Sequence, residues 1–256
     1  SFPTRRSSDQ IDKRVRSELV EHEDALTAIE VAHEKDLPAA VEAHLETLRA
    51  RLETSKIPGL RQAEVLVLDR RRDADRLVEP GCAERHAPTL QIRFSTVHSV
   101  KGDEADYVVM PAVLDGSFPL RIPDDPMIGL VLSDMDPFVD GEERRLFYVA
   151  LTRAKRNVAL FGARNKRSAF MRELACRGLI TLSDAAGAPI ETQACEGCET
   201  GLLVQRESKK GGRGRAFLGC DRYPSCCFTT NLPVSGPVAR RRQGQQSRSS
   251  RKRHRR

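Results

Sequence analysis

Residues 92–110, IRFSTVHSVKGDEADYVVM, constrain the fold more than any other stretch. Ile92 and Phe94 alternate with Arg93 and Ser95, the period-2 pattern of a strand. Tyr107, Val108, Val109 and Met110 run on without a break, as a parallel strand covered on both faces requires. Two buried strands therefore bracket a short polar turn. That turn crowds Thr96, His98, Ser99 and Lys101 together and ends on Gly102. Ligands of open parallel sheets collect where strands end, so chemistry is expected on Thr96 to Glu104. A solvated surface loop is the alternative reading of the same residues.

The flanking segments supply the rest of an α/β unit. Residues 11–59 carry Leu19, Leu26, Ile29, Val41, Leu45, Leu48 and Leu52 at helical spacing among charges. They read as N-terminal helices divided at Pro38. Residues 64–69, EVLVLD, read as a short strand, and residues 79–88, with Pro80, Gly81 and Pro88, as a loop. Residues 115–140 are rich in Pro, Gly and Asp and lack the spacing of a cation-binding loop. Residues 157–162 read as another buried strand, and 168–175 as a short helix ended by Gly178.

One helix carries a cation in an unexpected place. Asp140 is the expected N-cap, with Glu143 its capping-box partner. Leu146, Val149 and Ala150 form one stripe, and the 3.6-residue period puts Arg153 on it. Arg153, Lys155 and Arg156 fall near the expected last turn. A cation on an apolar face is costly unless it meets an anion. That anion is either a carboxylate of the fold or a ligand phosphate.

Charge and cysteine distribution divide the chain further. The net charge is +7, and residues 233–256 hold nine Lys or Arg and no acid; without those nine the remainder stands at −2. The tail reads as disordered and suited to polyanions. Of seven cysteines, Cys82 and Cys176 stand alone and the other five lie between 195 and 227. Isolated thiols suit a reducing compartment, and the cluster then reads as a metal site. No run of eighteen apolar residues exists, so no membrane partner is expected. The opening residues 1–10 read as an artefact joined to a truncated frame.

TVHSVKGDEADYVVM resembles the T-x-H-x-x-K-G-x-E motif of UvrD/Rep-like superfamily 1 DNA helicases, with a helicase IV flavour. EERRLFYVALTRAK, residues 142–155, resembles the last motif of the same family. The resemblance implies that residues 60–180 are the C-terminal part of a second RecA-like (P-loop NTPase) motor domain. It implies that Arg153 is the arginine finger reaching the γ-phosphate of ATP, and that Glu104 contacts the ribose beside Gly102. Thr96 and His98, with Lys101 in the same turn, would lie along single-stranded or junction DNA. Asp103 and Ala105 stand where the family carries larger apolar residues. The chain holds no G-x-x-x-x-G-K-[ST] phosphate loop and no acidic pair for Mg²⁺. The expectation is therefore a helicase piece, inactive alone, whose missing N-terminal motor half binds most of the ATP and Mg²⁺. A bacterial cytoplasmic, nucleoid-associated location would follow. The alternative is a non-enzymatic nucleic-acid-binding module with a degenerate motor domain.

Cys195-x₂-Cys198 and Cys220-x₅-Cys226 give two thiolate pairs separated by twenty-one residues, a set suited to tetrahedral, structural Zn²⁺. Between them lie two short apolar strands and a basic Gly-rich turn. Cys227 competes with Cys226 for the fourth place. The segment resembles the topoisomerase-type C4 zinc ribbon, especially FLGCDRYPSC, and that resemblance favours Cys226. Residues 181–194 are the expected linker and 195–232 the ribbon. The ribbon's six basic and four acidic side chains include Arg215, interleaved with Phe217 and Tyr223. Bases can stack on aromatics while cations follow phosphates, so these three are candidate DNA contacts. Padding of the small ribbon core is the alternative role for Phe217.

Overall fold

The computed structural model describes residues 25–54, 62–71, 74–100, 102–120, 140–198, 200–207 and 216–232. Expectations for residues 1–10, most of 115–140 and the tail 233–256 lie outside the described residues, as do Lys101 and Arg215.

The α/β class and the parallel sheet are as expected. Six strands, β1 (Leu26–Val31), β2 (Ala63–Asp69), β3 (Leu90–Thr96), β4 (Ala105–Met110), β5 (Ala154–Ala163) and β6 (Leu182–Ser183), lie in the order β3-β2-β4-β5-β1-β6. Every pairing between them is parallel. Strand alternation divides the core into two layers. Val65, Val67, Tyr107, Val109, Ala159 and Phe161 join one cluster with Val41, Leu45 and Leu48 of helix α1 (Leu37–Thr54). Leu66, Leu68, Val108, Met110, Val158 and Leu160 face the other way. There they meet helices α3 (Gly141–Leu151) and α4 (Ala169–Cys176) through Phe147, Ala150, Phe170 and Met171. Near-continuous apolar strands such as EVLVLD follow from burial on both faces.

Three readings are corrected. Residues 26–31 are not helical but form β1, which pairs with β5 over six positions. Leu26 and Ile29 are spaced for a helix, but Thr27, Ile29 and Val31 are β-branched and fit a pleated surface. Pro38 does not divide two helices; it sits in the first turn of α1, where its missing N–H is not needed. Residues 79–88 hold a short helix, α2 (Cys82–His86), entered through Gly81 at φ 73°.

The first strand of the central motif is an edge strand rather than a buried one, and Phe94 is 38% exposed. Beyond the large sheet, β7 (Gln193–Ala194), β8 (Leu202–Glu207), β9 (Ala216–Cys220) and β10 (Thr229–Asn231) form an antiparallel sheet in the order β10-β9-β8-β7. Residues 181–194 are thus more than a linker, since they contribute β6 to one sheet and β7 to the other.

Candidate nucleotide, nucleic-acid and zinc sites

The polar turn after β3 crosses the sheet, so its residues fall at two ends. Thr96 is level with Asp69 of β2, and Val65 of β2 is level with Tyr107 of β4. Thr96 thus lies six residues along the strand direction from Ala105, about 20 Å at about 3.3 Å per residue. Val97 and Val100 are buried and anchor the crossing segment. Within the stretch Thr96 to Glu104, Thr96 therefore stands at one end of the sheet and Glu104 at the other.

Glu104 and Arg153 share the first end. The amide of Ala105 donates to the Arg153 carbonyl at 3.0 Å, and Ala105 pairs with Ala154. Gly102 sits at φ 88°, open to solvent. Arg93 steadies the turn through Asp103 at 2.9 Å and the Glu104 carbonyl at 3.4 Å. Helix α3 ends at Leu151, so Arg153 lies past it and Lys155 and Arg156 are on β5, not in a last turn. The Arg153 guanidinium still caps the helix, donating from Nε to Val149 O at 3.1 Å and from Nη2 to Thr152 Oγ1 at 3.2 Å. Among the described residues no carboxylate forms a salt bridge with Arg153.

Thr96 and His98 occupy the opposite end. The Thr96 and Ser99 hydroxyls are 2.7 Å apart, and the Ser99 amide donates to Thr96 Oγ1 at 3.2 Å, so the turn holds its own shape. His98 is exposed, with Nδ1 3.5 Å from Arg70 Nη1. Arg70 in turn grips Glu143, Nε at 3.1 Å and Nη2 at 3.0 Å from Oε1. Glu143 Oε2 also accepts from Leu120 N at 3.0 Å. Glu143 is therefore not a capping-box partner. Asp140 stands at φ 56° and its side chain makes no cap bond. The Arg70–Glu143 pair escaped the sequence reading because 73 residues separate its members.

The four cysteines meet as their spacing foresaw. One sulfur each of Cys195, Cys198, Cys220 and Cys226 lies within 4.8 Å of the others, with Cys195–Cys226 at 3.8 Å and Cys198–Cys220 at 3.7 Å. A tetrahedron with Zn–S of about 2.3 Å has edges of about 3.8 Å, so the donor set fits Zn²⁺. Cys227 is exposed and turned toward Pro224 O, and it is the Cys226 sulfur that joins the other three. Burial pushes the Cys220 thiol up to about 12 and that of Cys195 upward. Burial acts on Cys198 in the same sense, but the Thr200 amide and neighbouring thiols bring it down to about 7. A divalent cation bound here would displace the remaining thiol protons into solvent. Gly201 is required here: a Cβ would stand 2.8 Å from Cys198 Sγ and collide with Cys220 Sγ.

A small apolar hollow of about 190 Å³ opens on the ribbon between Arg206, Phe217, Tyr223 and Phe228. Tyr223 is exposed, and the Arg206 guanidinium lies 5.7 Å from its ring centroid. Phe228 packs on the cysteine cluster, whereas Phe217 lines the hollow and is only partly buried. Arg206 was missed from sequence; its alternation along β8 was the available signal.

A second cluster, Glu42, Cys82 and His86, gathers around the Glu42 carboxylate. Glu42 Oε1 accepts from Arg85 at 2.8 Å and lies 3.2 Å from His86 Nε2. Among the described residues no helix is long and apolar enough to cross a membrane.

Comparison with known proteins agrees with both halves. Residues 81–164 match the UvrD-like helicase C-terminal domain, and residues 192–235 match the topoisomerase DNA binding C4 zinc finger. DNA helicase IV of Escherichia coli (strain K12) is 44% identical over 94 residues, 34% of this chain and 14% of that protein. The uncharacterized protein YrdD of the same organism is 48% identical over 50 residues, 19% of this chain and 26% of that protein. The chain thus spans about a seventh of the first relative and a quarter of the second.

Proposed function

We propose that this chain, with its UvrD-like helicase C-terminal segment and C4 ribbon, supplies the C-terminal share of an ATP-dependent DNA helicase. The carrying observation is the joint placement of Arg153 and Glu104, bound through Ala105 N–H to Arg153 O, with no carboxylate salt-bridged to the guanidinium among the described residues. In this reading Arg153 faces the γ-phosphate and stabilises charge developing on its oxygens. Glu104, displayed by the Gly102 turn, accepts from the ribose. The phosphate cradle and the Mg²⁺ ligands belong to the N-terminal motor half, so this chain alone does not turn over ATP.

The segment between Val97 and Glu104 links this end to Thr96 and His98, which lie along the DNA backbone with Lys101. A shift at the nucleotide end passes through about 20 Å of packed chain to the DNA end. That coupling would convert hydrolysis into translocation on single-stranded or junction DNA. The ribbon adds a sequence-tolerant grip through Tyr223, Phe217, Arg206 and the basic turn holding Arg215. Its zinc serves only to hold those residues in place.

The test is Arg153→Ala in the longer helicase. ATP binding is expected to persist while DNA-stimulated turnover falls about a thousandfold or more. Unchanged turnover would refute the assignment.

A further inference from the structure

Asp221 follows the zinc-ligand position Cys220 directly, and its carboxylate bridges the ribbon and the helix beside the large sheet. Oδ1 accepts from Leu202 N at 3.0 Å. Oδ2 accepts from Arg167 Nη1 at 3.0 Å and from Arg172 Nε at 3.1 Å, both on or beside helix α4. Arg167 is 6% exposed and spends its other donors on Glu30 of β1, at 2.6 and 2.7 Å. The Glu30 side chain is fully buried. Two carboxylates and two guanidiniums therefore alternate from the large sheet into the ribbon. A buried chain of this kind tolerates poorly the loss of one member, because its neighbour is left uncompensated.

Two further contacts follow the same route. Leu202, the first residue of β8, is buried in the α/β core with Ala28, Ile180 and Leu182. The Cys176 thiol at the end of α4 donates to Gly201 O at 3.3 Å. Residues 201 and 202 thus touch the large sheet on one side and the cysteine sulfurs on the other.

We propose that the C4 ribbon is not a tethered module but a zinc-dependent latch on the parallel sheet, with Asp221 as its bolt. The docking surface is helix α4 with the preceding Arg167, together with β1 and β6 around Ala28, Glu30 and Leu182. Its partner is the zinc-loaded ribbon of the same chain. Zinc fixes residues 201, 202 and 221, and these fix Arg167, Glu30 and the β5–β1–β6 side of the sheet. The ribbon's own buried core of Cys195, Leu203 and Cys220 is too small to hold that shape without metal. This inference rests on zinc in the ribbon but not on any nucleotide or nucleic acid that the sheet or the ribbon binds.

Thermal unfolding of the full chain, with hydrogen exchange read at residues 26–31, tests the latch before and after zinc removal by a chelator. The sheet midpoint is expected to fall by about 5 °C or more on chelation, with loss of amide protection in β1. Asp221→Asn keeps an acceptor for Leu202 N–H but removes the charge facing Arg167 and Arg172. It should hold one zinc per chain and lose at least half of the sheet's sensitivity to chelation. Arg172→Gln, which lies outside the ribbon, makes the same test if Asp221→Asn weakens zinc binding. An unchanged sheet midpoint and unchanged β1 protection in the chelated wild-type chain would overturn the proposal. So would chelation shifts in both variants equal to that of the wild type.

Discussion

Glu143→Gln separates the two roles that Glu143 could have. In a capping box, Gln serves at that position as well as Glu. In the structure, Glu143 is the anion for Arg70 and also accepts from Leu120 N. The two side chains are 11% and 19% exposed, so solvent screens the pair only in part. Substitution leaves the guanidinium without its counter-charge and weakens two short bonds. The cost is expected to be about 3 kcal/mol, between an ordinary hydrogen bond to a charged group and a fully buried broken pair. For a chain of this size that lowers the melting midpoint by about 6–12 °C. Urea unfolding followed by circular dichroism measures it, and a cycle with Arg70→Met isolates the pair, with a coupling of about 2 kcal/mol expected. Additive single variants, or a Glu143→Gln cost below about 0.5 kcal/mol, would refute the assignment. Because His98 Nδ1 lies 3.5 Å from Arg70, the same variant should also loosen the Thr96–Ser99 turn, visible as faster amide exchange there.

Three other outcomes follow from particular residues. His44 packs edge-on to Phe161 at 5.6 Å, and burial, with Arg51 nearby, holds its pKa down to about 4 from 6.5. The unfolded chain takes up this proton first, so the His44 contribution is complete above pH 6.5 and fades as pH falls toward 4. The ring is partly exposed, so about 2 kcal/mol should be lost over that window. His44→Phe should flatten the stability profile there, and an unchanged profile would sink the attribution. Gly201→Ala places a methyl against Cys198 and Cys220 and should reduce zinc affinity at least tenfold, read by competition with a chromogenic chelator. Wild-type affinity in that variant would contradict the close approach. In the zinc-loaded chain, exposed Cys227 should react with a disulfide reagent at once. Cys82, pushed up to about 12 by burial and by its bond to Glu42, should react only on unfolding. Fast labelling of Cys82 would contradict its packing.

Local spacing made much of this protein readable. The cysteine pairs foretold the metal cluster because each pair is set by one tight turn. The runs at residues 64–69, 107–110 and 157–162 foretold central strands because burial on both faces leaves few polar positions. Arg153 stood out because it follows an apolar stripe. Leu26–Val31 misled because so short a run satisfies a helical and an extended period about equally.

The sequence by itself determined the central strands β2, β4 and β5, three of the four clustered thiols and which arginine lies out of place, since neighbours along the chain encode all three. Tertiary structure alone decided that the polar turn serves two ends of the sheet. It alone gave Glu143 to Arg70 rather than to its helix terminus, and joined Glu30 to Asp221 through Arg167. The charged partners of Glu143 and Arg167 lie 54 to 137 residues away along the chain, and Leu120 is 23 residues from Glu143. Such distant pairs form only where crossovers bring charges out of water together, and no periodicity records that meeting.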